Sequence, residues 1–573
     1  MAGIQSVLDI GQWALHAQQL GMAVTAHNVA NVNTPGYSRQ RLILEPATPE
    51  NYQPGQIGRG VRAASIERVY DKFLGIQLRN ELSAQGSLRT QSSYYKQLES
   101  IYSGLSDSDL GSELRAFWSA WDDLSLHPEG ITERVGVREA ALQVASRITG
   151  LRDKLAGLRE QLNRSVRVSL DRVNELTSHV AELNLQIKRS EGSGQNANDL
   201  RDMRDKAMDE LAGLMEIQFW ETGDGVSVVG PGGTALVEGP NHWVLTSQTS
   251  DTGLENVFWK SSSGALVSMT DKIGSGSIGG MLRLGRDVVS RELERLEGLS
   301  RELIWNVNQR LSTSSGREPF SSLTGQVVSD PSQPLNASGL PFADRIQDGE
   351  IHIWLYDEEN PPSAVGRIQV SVVAGSTTVE DLADQIQNHP DNNGRLLATV
   401  SAEGRLMLEG VGGVRFAISQ DTSGALAALG VNGLFTGSGS QDIAVSVAVM
   451  QDARLIGAGR VDDTTGAFAP GDNRAALDVL ALRDTPVMDG ESLEKAWSTA
   501  VAGLGVEASG AYRIADYQDQ VVDQLEQQRS STSGVNLDEE MVKLLEYQWA
   551  YQAAARLIET GRDMMKSLIE MMR

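Results

Sequence analysis

Two heptad-spaced columns, one at each end of the chain, restrict its fold more than anything between them. Stepping alternately by four and three from Leu537 visits Met541, Leu544, Gln548, Tyr551, Ala555, Ile558, Arg562, Met565, Ile569 and Met572, and only Gln548 and Arg562 interrupt the apolar run. The same stepping from Ile4 visits Leu8, Gly11, Leu15, Gln18, Met22, Thr25, Val29 and Val32. Its exceptions, Gly11, Gln18 and Thr25, share one heptad position. This spacing keeps one stripe of a helix against a partner helix over many turns. Each end also carries a second column: Val7, Ile10, Ala14, Ala17, Gly21 and Val24 in one, and Leu545, Trp549, Leu557, Met564 and Leu568 in the other. Asp9 is the only formal charge before Arg39, whereas a solvated helix carries charge on its outer face. The terminal helices are therefore expected to pair as a coiled coil and to need further neighbours, within one core or between subunits.

Between these ends lie enough residues for several domains. A length of 573 residues suggests roughly three to five. The net charge of -25 speaks against a nucleic-acid partner, because phosphate binding needs a basic surface and no basic run occurs. With no cysteine, disulfides, thiolate metal sites and cysteine nucleophiles are excluded. No window reaches the ~18 uninterrupted apolar residues of a membrane span, so no membrane insertion is expected. The N-terminus lacks the basic start of a secretory signal and places Asp9 inside the would-be apolar region. Export, if it occurs, should use a route that keeps this end.

The periodicity changes four times along the chain. After residues 1–34, Thr34-Pro35-Gly36-Tyr37 reads as a turn, and residues 38–69 read as irregular with short β-like pieces. Helices are expected over 71–102, 108–126 and 199–215. The longest signal is Leu151, Leu155, Leu158, Leu162, Val166, Leu170, Val173, Leu176, Val180, Leu183 and Ile187, at helical spacing. Residues 217–270 hold short apolar runs between glycines and read as β-hairpins. Helix returns over 281–311, and a Ser/Pro/Gly-rich linker follows. Strands alternate with one short helix up to residue 418, and residues 437–471 read as Gly-rich and exposed. Separate helices are expected over 474–482, 492–503 and 514–529 before the terminal helix, which Asn536 can cap. The fold class is thus α+β, multidomain and elongated. A discontinuous helical core carries a β-hairpin excursion at about 217–272 and a β-rich inserted outer domain. The expected domains are a terminal coiled-coil assembly domain (1–34 and 536–573), a helical domain (35–312 and 473–535) and the insert (313–472).

Signals for chemistry are weak. Gly274-Ser275-Gly276-Ser277-Ile278-Gly279 fits the dinucleotide-binding pattern. That reading requires a second strand within about 30 residues, and a long helix occupies the place instead. A Gly-rich turn into a helix is expected. The seven histidines share no metal-ligand spacing. Asp122-Asp123 and Asp462-Asp463 read as solvated faces and turns, and Phe117, Trp118 and Trp121 as core. No catalytic, cofactor or metal site is assigned.

Asn28-Val29-Ala30-Asn31-Val32-Asn33-Thr34-Pro35-Gly36-Tyr37-Ser38-Arg39 resembles the N-terminal signature of the flagellar axial superfamily, which includes rod, hook and hook-associated proteins. The stretch Ser533-Gly534-Val535-Asn536-Leu537-Asp538-Glu539-Glu540-Met541, with Leu544, Gln548, Tyr551 and Leu557, is similar to the C-terminal end of the FlgK family of hook-associated proteins. The long helical region, Asp442-Ile443-Ala444-Val445 and Asp472-Asn473-Arg474-Ala475-Ala476 favour the same family. The helix near Gln309 departs from it, reading Ile304-Trp305-Asn306-Val307-Asn308 where many members have a Phe-Asn-rich version. The resemblance implies a secreted structural protein with no enzymatic activity, exported by the flagellar type III pathway and assembled as a layer between hook and filament. Its implied partners are other copies of itself, the hook protein, the second hook–filament junction protein, an export chaperone and the type III export apparatus. The assembly motif it implies comprises Asn28, Asn31, Asn33, Thr34, Pro35, Gly36, Tyr37, Asn536, Leu537, Met541, Leu544, Tyr551, Ile558, Met565 and Ile569. A sibling axial protein (hook, distal rod or flagellin-like) is the alternative.

Overall fold

The structure, a computed structural model, describes residues 2–52, 55–103, 109–192, 194–359 and 362–571. Met572 of the C-terminal column and Ser108, the expected start of a helix, lie outside the described residues. Helix α1 (Ala2–Ala30) leads into strands β1 (Gln40–Pro46), β2 (Glu50–Tyr52), β3 (Gly55–Ile57) and β4 (Val61–Arg68). Helices α2 (Lys72–Ser103), α3 (Leu110–Leu126), α4 (Ile131–Glu191) and α5 (Asn198–Leu214) follow. Seven strands come next: β5 (Gln218–Thr222), β6 (Gly225–Gly230), β7 (Thr234–Glu238), β8 (Asn241–His242), β9 (Val244–Thr249), β10 (Glu255–Lys260) and β11 (Leu266–Ser268). Helix α6 (Gly276–Arg283) then runs through a π-helical turn, Leu284–Val289, into α7 (Ser290–Leu311). The later part holds β12 (Ser322–Thr324), β13 (Gly349–Tyr356), β14 (Ala364–Val372), α8 (Val379–Gln387), β15 (Leu396–Val400), β16 (Leu406–Gly410), β17 (Arg415–Asp421), α9 (Ala425–Ala428), β18 (Phe435–Thr436), β19 (Ala444–Val445) and α10 (Val447–Gln451). It closes with α11 (Arg474–Leu480), α12 (Leu493–Ser533) and α13 (Leu537–Met571).

These elements form two compact units. One comprises Met1–Tyr94, Glu160–Arg286 and Gly510–Arg573, the other Tyr95–Arg159 and Asp287–Ser509. Helices α2, α4 and α12 supply residues to both, so division by contact cuts across the division by element type drawn from the sequence.

In the first unit the stretch expected to be irregular holds two two-stranded antiparallel sheets, β1–β4 and β2–β3. The β1–β4 pairs run from Gln40 opposite Arg68 to Pro46 opposite Val61, with a register shift between Ile43 and Leu44. The prolines end β1 rather than prevent it, as proline is tolerated at strand edges. The hairpin excursion makes a four-stranded sheet, β5–β6–β7–β8, and a three-stranded one, β9–β10–β11. The Gly274–Gly279 pattern has a structural cause. A Cβ on Gly276, whose φ is +73°, would collide with the backbone of Leu214 and Met215. One on Gly280 would come within 2.7 Å of the Ser87 carbonyl oxygen. These glycines let the start of α6 approach α2 and the end of α5, the close-packing use of glycine.

In the second unit, β14–β13–β17 and β12–β16–β15 are the principal sheets. Thr378 caps α8, its hydroxyl accepting from Asp381 N while the Asp381 carboxylate accepts from Thr378 N. Phe117, Trp118 and Trp121 are core residues, and the Phe117 ring lies 5.9 Å from that of Phe435. Residues 437–471 are not the exposed stretch their glycines suggest: Ile443, Val445, Val449, Ile456, Ala458 and Val461 are buried. The helices expected over 492–503 and 514–529 are one continuous α12. Gly503, Gly505 and Gly510 weaken it by about 1 kcal/mol each relative to alanine. Burial of Leu504, Ala508, Ala515 and Val522 on its inner face offsets that cost.

Candidate functional site

The two ends of the chain meet in the first unit. Helix α1 stops before the turn at Thr34-Pro35-Gly36, where Tyr37 N donates to the Thr34 carbonyl oxygen at 3.2 Å. Gly36 has φ +85°, which favours glycine. At the other end, Asn536 Oδ1 accepts from Asp538 N at 3.0 Å and Glu539 N at 3.4 Å, capping α13. The two helices then run antiparallel, since Gly21 meets Tyr547, Gly11 meets Ile558 and Gly561 meets Leu8. Each glycine is a notch. A Cβ on Gly21 would lie 2.6 Å from the Tyr547 ring, one on Gly11 2.6 Å from Ile558, and one on Gly561 2.9 Å from Leu8.

The line of α13 nearest α1 therefore runs through Glu540, Tyr547, Ala554 and Gly561, beside Leu544, Tyr551, Ile558 and Met565. It shares only half of the column drawn from the sequence. Leu537, Met541 and Ile569 lie off it, 46%, 49% and 57% exposed, and so do the exposed Gln548 and Arg562. The small residues Gly11, Gly21 and Gly561 let the two helices come close along this line, and the larger apolar side chains lie away from it. Val542, Leu545, Leu557, Met564 and Trp549, the last 67% exposed, are further large apolar side chains of α13 that stand exposed.

A polar latch closes the inner end of the pair. The buried Asn28 amide donates to Glu540 Oε2 at 2.9 Å and to the Gln40 carbonyl oxygen at 2.8 Å. Its Oδ1 accepts from Gln40 N at 2.9 Å and from the Tyr37 hydroxyl at 2.8 Å. Arg39 Nε donates to Glu540 Oε1 at 2.7 Å, its Nη1 reaches Glu539 at 2.8 Å, and its backbone N donates to the Ser533 carbonyl oxygen at 2.8 Å. Burial, then Asp199, Asp202 and Glu540, push the Tyr37 phenol well above the usual tyrosine range, so it stays a donor. Asn31 and Thr34 belong to the same turn, with Thr34 Oγ1 donating to Asn31 Oδ1 at 3.1 Å. Asn33, Pro35 and Gly36 are exposed.

A row of carboxylates joins this latch to the helical body. Asp202, Asp205 and Asp209 stand at helical spacing on one face of α5. Arg68 reaches Asp202 at 2.8 Å and Asp205 at 2.6 Å, Arg79 reaches Asp205 at 3.0 Å and Asp209 at 2.7 Å, and Arg529 reaches Asp209 at 2.8 Å. Ser38 N donates to Asp202 Oδ2 at 2.9 Å. Burial raises the Asp202 carboxyl above its usual range, with the Ser38 and Arg68 hydrogen bonds opposing it. Four segments (the turn after α1, β4, α2 and the end of α12) are thereby fixed to α5 around a polar cleft of about 400 Å³.

Arg39 and Glu540 lie within the two signature stretches without an assigned partner, and Gln40 and the aspartate–arginine row were not singled out from the sequence. Two signals were present. Glu540 stands seven residues before Tyr547, fourteen before Ala554 and twenty-one before Gly561, and the three aspartates are spaced by three and four. Among the described residues, no group of His, Cys, Asp and Glu could hold a metal ion, and no helix is long and apolar enough to cross a membrane.

Comparison with known proteins places these features together. Residues 95–316 match the family of the flagellar hook-associated protein FlgK helical domain. Residues 8–37 match the flagella basal body rod protein family, and residues 526–571 the C-terminal family of the flagellar basal body rod FlgEFG proteins. The chain is 26% identical to flagellar hook-associated protein 1 of Bacillus subtilis (strain 168) over 571 residues, covering 98% of this chain and 97% of that one. It is 25% identical to flagellar hook-associated protein 1 of Salmonella typhimurium (strain LT2) over 584 residues, covering 99% and 100%. Its fold is similar to the flagellar hook junction protein FlgK from Burkholderia pseudomallei, with a TM-score of 0.53, 15% identity, and coverage of 80% of this chain and 100% of that one.

Proposed function

Because the chain is similar along nearly its whole length to flagellar hook-associated proteins, we propose that it is an exported structural subunit of the junction between hook and filament. It self-assembles there by packing its terminal helices against those of neighbouring copies. The observation that carries this reading is the half-finished state of α13. One side is closed by α1, the notches and the latch, while Met541, Trp549 and Ile569 stand open on the other. Large apolar side chains left exposed along one helix are what a protein–protein contact covers. The subunit then sits against the hook protein on one side and the second junction protein on the other. It is delivered through the type III pathway with an export chaperone. Its role is mechanical, with the body held to the terminal pair by the aspartate–arginine row. The FlgK helical-domain match over residues 95–316 favours this place over that of a hook, rod or filament protein.

The test is truncation after Gly534, expressed in a strain lacking the native protein. The truncated chain is expected to remain folded as a monomer and to leave hooks without filaments. Filament growth at the normal level from the truncated chain would defeat the reading.

A further inference from the structure

Glu540 is the one charged residue on the α1-facing line of α13 and is 1% exposed. Both of its oxygens are engaged, Oε2 by Asn28 and Oε1 by Arg39, and Lys543 stands 3.9 Å away. Neither donor lies on the exposed part of α1. Asn28 is held by Gln40 and Tyr37, and Arg39 by its backbone bond to Ser533. The donors are therefore held by groups outside α13.

We propose that Glu540 sets the register of the terminal helix pair and ties α13 to the α1 of its own chain. The inference rests on the reading of α1 and α13 as the assembly element and adds the residue that decides how they align. The rest of the interface discriminates poorly between registers, because its small positions recur at heptad spacing. Ala14 and Gly21 on one helix, and Ala554 and Gly561 on the other, are small residues one heptad apart. Sliding α13 by one heptad, so that Tyr551 meets Gly11, would set the Glu540 carboxylate against Gly21, which has no side-chain donor. A buried charge without its partner is strongly disfavoured, and one polar pair at an otherwise apolar seam is a known way to specify register. The tie to its own chain follows from the short span between donors and helix. Arg39 contacts Ser533 and Glu540 at once, so the start of α13 is held beside the donors of the same molecule.

The absence of cysteine permits a direct test on the full chain as the free protein. The double variant Gly11→Cys/Ile558→Cys reports the native register, and Gly11→Cys/Tyr551→Cys reports the slipped one. With Glu540 present, the native pair is expected to cross-link within one chain and the slipped pair weakly. Glu540→Ala should lower the native-to-slipped ratio roughly tenfold or more, as loss of one partner of a buried charge pair entails. Glu540→Gln, which keeps an acceptor for Asn28, should lower it less. An unchanged ratio in both variants, or native cross-links that form mainly between chains, would overturn the inference. Neither result depends on the junction role, which the truncation tests separately.

Discussion

The column of α4 and the column of α13 are built from similar residues at similar spacing, yet they end in different environments. Every position of the α4 column from Leu151 to Ile187 is buried. On α13 the inner positions are closed by α1 and the outer ones stay open, with Trp549 67% exposed. The difference is one of neighbours. The middle of α4 is surrounded by elements of its own chain: Asn163 and Asn174 bond the backbone of the β9–β10 hairpin, and Asn184 bonds that of β6. Helix α13 has one long helical neighbour and a polar latch. With α1 as its one long helical neighbour among the described residues, this 35-residue helix leaves large apolar side chains exposed. A heptad column thus shows that a helix has a partner, and the exposure of its flanks shows how much of its apolar surface that partner leaves open.

Four substitutions would break or sharpen this contrast. Leu176→Ala, in the finished column, should cost about 2–5 kcal/mol, read as a lower denaturation midpoint of the free chain. Gly21→Val, in the closed side of α13, should cost about 1–3 kcal/mol through overpacking against Tyr547. Hydrogen exchange should show that loss confined to the terminal helices, with α4 and α5 unchanged. Tyr37→Phe should cost stability at neutral pH, through the lost hydrogen bond to Asn28, and progressively less at high pH. The folded phenol titrates above its unfolded counterpart, so its contribution is complete below the unfolded pKa of ~10 and declines as pH rises past it. The variant should therefore lose stability less steeply than the parent between neutral and strongly alkaline pH, measured by denaturant titration. Ile569→Ala, on the open side, should change the stability of the free chain by no more than about 0.5 kcal/mol. It should nevertheless weaken self-association, and a loss of stability as large as that of Leu176→Ala would erase the distinction.

Much of the fold was readable from periodicity. The buried column of α4, the β-hairpins after residue 217 and the terminal helices all follow from side-chain spacing. Three things were not. The Pro-containing stretch 38–69 hides a sheet because its pairing partners, such as Gln40 and Arg68, are 28 residues apart and turn signals mask the alternation. The single helix α12 was divided because local propensity penalises Gly503, Gly505 and Gly510, while tertiary burial decides the outcome. The π-helical turn at Leu284–Val289 has no periodic signature. At the site, the turn residues from Asn28 to Tyr37 and the cap at Asn536 were legible, since their chemistry is local. Glu540 and the aspartates of α5 were not, because their partners Asn28, Arg39, Arg68 and Arg529 come from distant positions and spacing alone does not bring them together. The phase of the α13 seam was also hidden. Choosing between Met541 and Glu540 for the inner line depends on glycine notches in another helix, not on hydrophobicity.

The central claim is that the outer face of α13 is completed only by other copies. Thiol labelling tests it most directly, with a single Ile569→Cys in this cysteine-free chain and Leu176→Cys as a buried reference. In the free protein Cys at 569 should react at the rate of an exposed thiol while the reference stays unreactive. In isolated junctions both should be protected. Equal reactivity at 569 in the free and assembled states would contradict the account.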